Sequence, residues 1–407
     1  MKTKRLLSLL TASAMVATLF AGCGGGSDKD AGSTADSGST PADSGTSQSA
    51  GVEKFSVWAS GSDNVRQIFE KLVSDFNANS EYAGKYEAEL QFVLSGSGGA
   101  QLKDMLVTAA LANQDKTDYD VVELGDDDIT NCVDKVGEEM FEMLDTSKIP
   151  NASRVSAKPV VAEGRIQPYR GTTVVLAYNS ETVPENEVPK TMDELVEWIK
   201  AHPGRFAYNT AGTGGAGDSF IRTAIYNQID DPSALMSSDP KWMEQWDKGF
   251  EFLKEIHPYM YKSGGSIVYP NKNQGTLDLL AQGEIDMCPN WADMVLSQRK
   301  AGTVPEKIKI TTITPSFTGS VVGFVVPTSS SHKDAGHAWI NYCLTDAAQT
   351  LLAQEMAAVP LVDASSLDLS GMEDLMNLDV TSFRTQALGA LVTDLNARWD
   401  EEIGTLG

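Results

Sequence analysis

Short stretches of alternating hydrophobic and polar residues are separated in this chain by longer stretches with helical hydrophobic spacing. Residues 54–59 (KFSVWA) alternate and contain valine and aromatic residues, which predicts a strand. Residues 64–77 place their apolar side chains three or four positions apart, which predicts a helix. A strand at residues 86–94, a helix at 101–112 and a strand at 119–124 follow in the same way. This alternation predicts an α/β fold in which mixed, mostly parallel sheets are flanked by helices.

The second half of the chain continues the alternation after a long β-rich stretch. Residues 165–178 (RIQPYRGTTVVLAY) predict a strand that is interrupted at Gly171. The helix predicted next, residues 191–201, starts with Thr191 and Glu194 at the spacing of a capping box. Further helices are predicted at residues 218–228, 239–256, 273–281, 335–344 and 347–356 and in the tail from Thr381, and further strands at residues 205–208, 285–288, 307–313 and 320–326.

The first 22 residues have the organisation of a secretory signal. Three basic residues among the first five precede the apolar or small residues 6–20, a stretch too short to cross a membrane comfortably. The sequence FAGC at residues 20–23 resembles the bacterial lipobox, whose cysteine becomes the first mature residue and receives diacylglycerol. The resemblance implies a lipoprotein signal peptide at residues 1–22 and lipidation of Cys23, with phenylalanine where the motif usually has leucine. The alternative is an ordinary signal peptide beside an incidental cysteine.

The next stretch, residues 23–52, is predicted to be a flexible tether. After Cys23 it is rich in Gly, Ser and Asp and has no aromatic residue, so it cannot bury enough apolar surface to offset the entropy of ordering. No later stretch approaches the roughly 18 apolar residues of a membrane-spanning helix. The order of signal, cysteine, tether and globular body predicts an exported protein that a lipid anchors to the cell membrane, facing outside the cytoplasm.

The charge balance excludes one class of partner. The chain of 407 residues has 56 acidic and 32 basic side chains, and such a chain is a poor nucleic-acid binder because phosphate contacts need a basic face. Its length suffices for about two domains. The cysteines after Cys23 are odd in number and widely spaced, which predicts small buried apolar residues and neither disulfides nor metal ligands. They are Cys132, Cys288 and Cys343.

Four groups of motifs in the body of the chain resemble the bacterial extracellular solute-binding proteins (family 1), which supply ABC importers. The likeness extends over roughly residues 55–360 and rests on the order of the motifs, since no single motif is decisive. The second group is most similar to importers for thiamine-like, polyamine and iron ligands. The groups are PYRGTT (168–173) leading into LAYN (176–179); TMDEL (191–195) before PGRFAY (203–208); GEIDM (283–287); and VGFVVP (322–327) before AGHAWINY (335–342) and AAQ (347–349).

This resemblance implies a two-lobed periplasmic-binding-protein-like fold of type II that closes around its ligand by hinge bending. The chain would cross between the lobes near residues 171–175 and 318–323. The implied function is capture of a small polar solute by a monomer without cofactor or metal, and delivery to the permease subunits of an ABC transporter, with no catalysis. The implied division is residues 53–172 plus 320–362 for the first lobe, and residues 173–319 plus 363–407 for the second lobe and a C-terminal helical tail.

Candidate ligand-binding residues lie mainly where predicted strands end, because ligands of open α/β sheets bind beyond the carboxyl ends of the strands. Small Ser/Gly loops expose backbone N–H groups, and aromatic side chains offer a wall to a ring, a sugar or a cation. Asp126 is chosen from three adjacent carboxylates that also fit a solvated helix start. Plainer roles, as Gly-rich turns or core aromatics, stay open for these residues. The candidates are Trp58, Ser60, Ser97, Gly98, Asp126, Tyr169, Arg170, Tyr208, Thr213, Gly214, Asn290, Trp291 and Asp293.

Other functions fit parts of the sequence less well. Gly212, Gly214 and Gly217 match a dinucleotide-binding fingerprint, but the segment after the following helix is polar where that motif needs a strand. A secreted hydrolase is disfavoured because the chain has neither GxSxG nor HExxH. An envelope sensor that presents a solute to a receptor would have the same fold. The ligand stays open between a thiamine-like or polyamine cation, a sugar and a small phosphorylated or carboxylated anion, whereas ferric iron is disfavoured because no two tyrosines are adjacent.

Overall fold

Strands and helices alternate in the computed structural model, which describes residues 51–95, 99–370, 372–378 and 383–406. The strands are β1 (Glu53–Gly61), β2 (Tyr86–Leu94), β3 (Val121–Gly125), β4 (Ile166–Thr172), β5 (Val174–Asn179), β6 (Lys262–Ser263), β7 (Ser266–Ile267), β8 (Met287–Trp291), β9 (Ile308–Thr311), β10 (Ser320–Val325) and β11 (Val359–Pro360). The helices are α1 (Asp63–Asn79), α2 (Leu102–Leu111), α3 (Asp126–Val136), α4 (Met192–Ala201), α5 (Gly215–Tyr226), α6 (Asp247–Ile256), α7 (Lys272–Gln282), α8 (Ala292–Lys300), α9 (Lys333–Cys343), α10 (Asp346–Met356), α11 (Glu373–Met376) and α12 (Leu391–Trp399).

The first lobe is built on a six-stranded mixed sheet with the order β11-β4-β10-β3-β1-β2. β1 pairs in parallel with β2 and β3, because α1 and α2 return the chain to the same edge before each new strand. β10 is antiparallel to both β3 and β4. Four of the six strands, β1 to β4, therefore run in one direction, and the prediction of a mixed, mostly parallel sheet is confirmed for this lobe.

The second lobe is built on a three-stranded sheet with the order β8-β5-β9, and both pairings are antiparallel. The prediction of a mostly parallel sheet is wrong here. β5 follows β4 after the single residue Thr173 and keeps its direction, while β8 and β9 run against it. The strand predicted at residues 205–208 is reduced to parallel bridges from Phe206 to Met260 and to Met287.

Two other predicted elements differ from the structure. Residues 239–256 form a 3-10 helix, Pro240–Gln245, followed by α6, instead of one amphipathic helix. The tail is helical only from Leu391, and α12 ends in a π-helical turn at Asp400–Gly404. Among the described residues, no helix is both long and apolar enough to cross a bilayer.

Each lobe has its own hydrophobic core. Phe69 and Trp339 pack on one face of the first sheet, and α2 and α3 cover the other face. The core of the second lobe contains Trp246 and also Trp399, so the end of the chain packs in this lobe. Burial is confirmed for the three predicted buried cysteines, and five of the tryptophans are buried as well. These residues are Trp198, Trp242, Trp246, Trp339, Trp399, Cys132, Cys288 and Cys343.

Short connections carry the chain between the lobes. Thr173 alone separates β4 from β5, and residues 312–319 lead from β9 to β10. Both connections lie at or beside the predicted crossovers. Next to them, an apolar cluster joins Val175 of β5 and Ala292 of α8 to Ala353 of α10 and to Leu375 of α11.

Candidate functional site

Two adjoining cavities, with volumes of about 370 and 560 Å³, lie between the lobes. Together they are called the cleft below, and they are distinguished as the smaller and the larger cavity. Both are lined by strand ends and helix starts from the two lobes. The residues common to both linings are Ser60, Leu94, Ser95, Gly125, Asp128, Thr213, Gly214, Gly215, Trp291 and Ser320.

The first-lobe wall of the cleft consists of the carboxyl ends of β1, β2 and β3. β1 ends at Gly61 two residues before α1 begins, and α3 begins directly after β3 ends at Gly125. Because strand and helix meet with almost no loop, the amino ends of both helices lie at the cavities. This is the edge at which open α/β sheets bind ligands.

Trp291 forms the aromatic part of the second-lobe wall. It is half-buried at the end of β8 and lines both cavities. A Cβ atom added to Gly215 would lie 2.7 Å from Cζ2 of Trp291, so only glycine lets the indole pack this closely on the start of α5. The loop before α5 is fixed by Asn209, which donates to the Gly214 carbonyl at 2.9 Å and accepts from the Gly217 N–H at 2.8 Å. Thr213 and Gly214 are thereby held at the cleft.

Arg170 lies on the wall of the larger cavity in a buried ion pair with Glu123. Its Nε and Nη2 atoms donate to Oε1 of Glu123 at 3.2 and 2.5 Å. The Tyr169 hydroxyl donates to the same carboxylate oxygen at 2.7 Å and accepts from Nε of Arg170 at 2.8 Å. The side chains of Arg170 and Glu123 are 5% and 3% exposed, so this pair depends on its mutual contacts far more than a surface pair does.

Asp293 joins the two lobes at the start of α8. Its carboxylate accepts hydrogen bonds from the Thr172 hydroxyl at 3.1 Å and from the Asn64 amide at 3.3 Å, both in the first lobe. Burial raises the pKa of Asp293, and the nearby guanidinium of Arg170 opposes this shift. Within the described parts of the chain, no basic side chain lies within 4.0 Å of this carboxylate.

A second charged group, on the smaller cavity, connects the lobes through Arg222 of α5. Its Nη1 donates to Asp127 of the first lobe at 2.8 Å, and its Nη2 lies 3.5 Å from Asp218. Asp127 also accepts hydrogen bonds from the Gln386 side chain and from the Leu388 N–H, which belong to the C-terminal tail. Burial raises the pKa of Asp218, while Arg222 opposes the shift.

The structure brings about half of the predicted site residues to the cleft. Ser97 and Gly98 lie outside the described residues, as does Cys23. The remaining five candidates do not line either cavity. The cleft-lining candidates are Ser60, Arg170, Thr213, Gly214, Trp291 and Asp293, and those away from it are Trp58, Asp126, Tyr169, Tyr208 and Asn290.

Trp58 is placed away from the cleft by its position along β1. It lies two residues before Ser60 on the same face, where it packs with the apolar residues of α2 and α3. Its indole N–H is 2.9 Å from the Asp118 carbonyl, and its ring lies 4.7 Å from that of Tyr119. Trp58 therefore belongs to the flank of the first sheet.

Of the other four candidates away from the cleft, Tyr169 and Asn290 contact residues that line it, whereas Asp126 and Tyr208 are buried. Asp126 accepts from the Val321 N–H at 3.0 Å, and burial raises its pKa to about 7. Asn290 donates to the Asn273 carbonyl at 3.2 Å and accepts from the Trp291 N–H. Tyr208 is fully buried in the core of the second lobe, and Tyr169 holds Glu123 and Arg170 together.

The sequence analysis missed several lining residues. Asp127 and Asp128 line the cleft where Asp126 was chosen, because successive residues of a helix point about 100° apart. Asp218 and Arg222 stand four residues apart, a helical pair spacing that could have suggested them. Gln386 and Asn396 have no local signal, since only the path of the C-terminal tail brings them to the smaller cavity.

Comparison with known protein families gives a match over most of the chain. Residues 71–374 match the family model for bacterial extracellular solute-binding protein. No curated protein matches the chain.

Several solved structures share the fold at low sequence identity. Maltose-bound MalE3 of T. maritima has a TM-score of 0.66 and 16% identity, covering 86% of this chain and 95% of that chain. PotD of Streptococcus pneumoniae, a spermidine/putrescine ABC transporter substrate-binding protein, has a TM-score of 0.58 and 14% identity, covering 86% and 99%. AfuA of Actinobacillus pleuropneumoniae, with fructose-6-phosphate bound, has a TM-score of 0.60 and 12% identity, covering 87% and 99%. At such identities the likeness establishes the two-lobed fold and not the ligand.

Proposed function

This chain belongs to the bacterial extracellular solute-binding proteins, and from that premise we propose that it captures a small polar solute in the cleft between its lobes. One observation carries the proposal. Thr213, Gly214 and Trp291 of the second lobe line the same cavities as Ser60 and Ser95 of the first lobe. A solute in the cleft would therefore contact both lobes at once, which is the condition for a ligand to favour a closed arrangement.

The size and lining of the cleft suit a small solute. A volume of 560 Å³ lies within the range of about 300–1,000 Å³ typical of small-molecule sites. Relatives of the same fold have maltose or fructose-6-phosphate bound, and another is a spermidine/putrescine ABC transporter substrate-binding protein. A sugar, a small anion and an amine are therefore the classes of solute to test first, together with thiamine-like cations.

The captured solute would be delivered to the permease subunits of an ABC transporter. In this proposal the protein is a monomer that a lipid on Cys23 holds at the outside of the cell membrane. The tether that the Gly/Ser-rich sequence predicts at residues 23–52 would allow the body to reach the permease.

Ligand binding is expected to draw the lobes together by bending near residues 171–175 and 318–323. A thermal-shift screen of the full chain against these solute classes identifies a ligand, because binding to the native state raises the melting temperature. Small-angle scattering with and without that ligand should then show a smaller radius of gyration in its presence. An unchanged radius at saturation would contradict hinge closure, and the absence of a thermal shift with every class would contradict solute capture.

Replacement of Cys23 with serine is expected to release the protein from the membrane and leave the body folded. The serine cannot carry the thioether-linked lipid, and the tether contributes no core. Membrane fractionation and the melting temperature of the released protein measure the two effects. Cys343→Ser is a control, because Cys343 is buried in the first-lobe core and its replacement should leave membrane attachment unchanged. A Cys23→Ser protein that stays firmly in the membrane fraction would refute lipid anchoring.

A further inference from the structure

The cleft contains more carboxylates than cationic side chains. Asp63 binds Arg66 and Asp128 binds Lys103, so these two carboxylates have cations of their own. Lys272 is only half-buried, and solvent screens its charge. Two deeper charged groups remain, one on each cavity. The carboxylates among the described lining residues are Asp63, Glu123, Asp127, Asp128, Asp218 and Asp293, and the cations are Lys103, Arg170, Arg222 and Lys272.

In the larger cavity, one guanidinium stands beside two carboxylates. Arg170 is paired with Glu123 through two hydrogen bonds. Asp293 is 6% exposed and has only the neutral donors Thr172 and Asn64 as hydrogen-bond partners in the described structure. The group therefore has one carboxylate more than its cation can pair, at a place where burial makes an uncompensated charge costly.

The smaller cavity repeats this arrangement with different residues. Arg222, 6% exposed, contacts Asp127 at 2.8 Å and approaches Asp218 only to 3.5 Å. Asp127 also accepts from Gln386 and Leu388, so Asp218 is the carboxylate with more spare acceptor capacity. Its only close partner besides Arg222 in the described residues is the Gly212 N–H at 2.7 Å.

Most of the helices that begin at the cleft have a carboxylate in their first turn, and this carboxylate repels an anionic ligand. An anion gains from a helix amino end only where no carboxylate already occupies it. The first turns of α1, α3, α5 and α8 each contain at least one aspartate, and each of these turns contributes to the lining. The carboxylates at these helix starts therefore oppose the binding of an anion in the cleft.

We propose that the cleft binds a cationic amine with two ammonium groups, one at Asp293 in the larger cavity and one at Asp218 in the smaller cavity. Trp291 lines both cavities and lies along the apolar part of such a ligand, where its ring also attracts the ammonium groups. The inference rests on the proposed capture of a solute in the cleft and specifies the class of that solute.

Four probes of equal chain length separate the charge classes: 1,4-diaminobutane, 1-aminobutane, butane-1,4-diol and succinate. Calorimetric titration of the full chain is expected to show binding of the diamine about tenfold or more tighter than the monoamine, and no binding of the diol or succinate. Equal affinity for diamine and monoamine, or preference for the diol or succinate, overturns the inference. Binding of maltose or a sugar phosphate without binding of the diamine also overturns it, but leaves solute capture by the cleft in place.

Two charge-removing variants test the two anchoring carboxylates. Asp293→Asn and Asp218→Asn are each expected to weaken diamine binding about 30-fold or more and to bring diamine and monoamine affinities close together. Asp230→Asn is the matched control, because Asp230 is exposed and lines neither cavity. A purely structural role would lower the melting temperature and leave the diamine-to-monoamine ratio unchanged, and that result would overturn the assignment.

Discussion

Replacement of Arg170 with methionine is expected to lower the free energy of unfolding by about 3–5 kcal/mol. The guanidinium is the partner of Glu123, and both side chains are almost completely buried. Without it, Glu123 would keep the Tyr169 hydroxyl as a donor but would lose the opposite charge that offsets its burial. Denaturant unfolding of the unmodified protein and of the variant measures the difference in the free energy of unfolding. The comparison is valid when the free energy of unfolding depends equally on denaturant concentration in both proteins.

Two further variants identify burial of the charge as the cause. Lys158→Met breaks an ion pair whose side chains are 79% and 77% exposed, and it should cost less than about 1 kcal/mol. The double variant Arg170→Met/Glu123→Gln leaves no charge in the pocket and should recover part of the loss. Equal costs for Arg170→Met and Lys158→Met, or no recovery in the double variant, would show that the pair is not a stabilising contact.

The strands and helices of the first lobe could be predicted from the sequence because their buried residues recur at the regular spacing of a strand or a helix. β2 spans Tyr86–Leu94 as predicted, and α1 exceeds its prediction by one or two residues at each end. The second sheet was harder to predict, since its strands are short and two of them pair only with β5. Local alternation reveals a strand but not the direction of its neighbour, which depends on how the chain enters the lobe.

The break in the long β-rich stretch shows another limit of prediction from the sequence. Gly171 was predicted to interrupt it, but β4 continues through this glycine and the break falls at Thr173. Gly171 pairs with Val321 of β10 and Val359 of β11, and a Cβ added there would lie 3.4 Å from Val359. That distance is an ordinary van der Waals contact, so Gly171 is a paired residue in the interior of a strand and not a turn residue. Sequence alone does not separate these two uses of glycine.

Sequence analysis places residues at the cleft where a suitable side chain coincides with a strand end, as at Ser60 and Trp291. It misplaces a residue where the distance along an element decides the position. Trp58 precedes the end of β1 by three residues, roughly 10 Å, and this places it beneath helices. Gln386 comes from a tail more than 200 residues away from Asp127 in sequence, and only tertiary structure brings the two together.

Replacement of Trp291 with alanine is expected to weaken ligand binding about tenfold or more. Its half-buried ring lines both cavities, and stacking on a ligand contributes about 0.5–1.5 kcal/mol beyond the area it buries. Stability should fall by less than for Trp246→Ala, which would empty a fully buried site at a cost of about 3–5 kcal/mol. Titration with a ligand from the thermal-shift screen and melting of each variant measure both quantities.

Trp58→Ala provides the matched control, because it removes a second half-buried tryptophan from a strand of the other lobe. The sequence alone predicts a cleft role for both residues, whereas the structure gives the Trp58 indole two acceptors in the first lobe, Ser56 of β1 and Asp118 before β3. Trp58→Ala should therefore lower the melting temperature and leave the affinity unchanged. If Trp58→Ala weakens binding as much as Trp291→Ala does, the ligand lies elsewhere than in the cleft, since no cavity that includes Trp291 reaches Trp58.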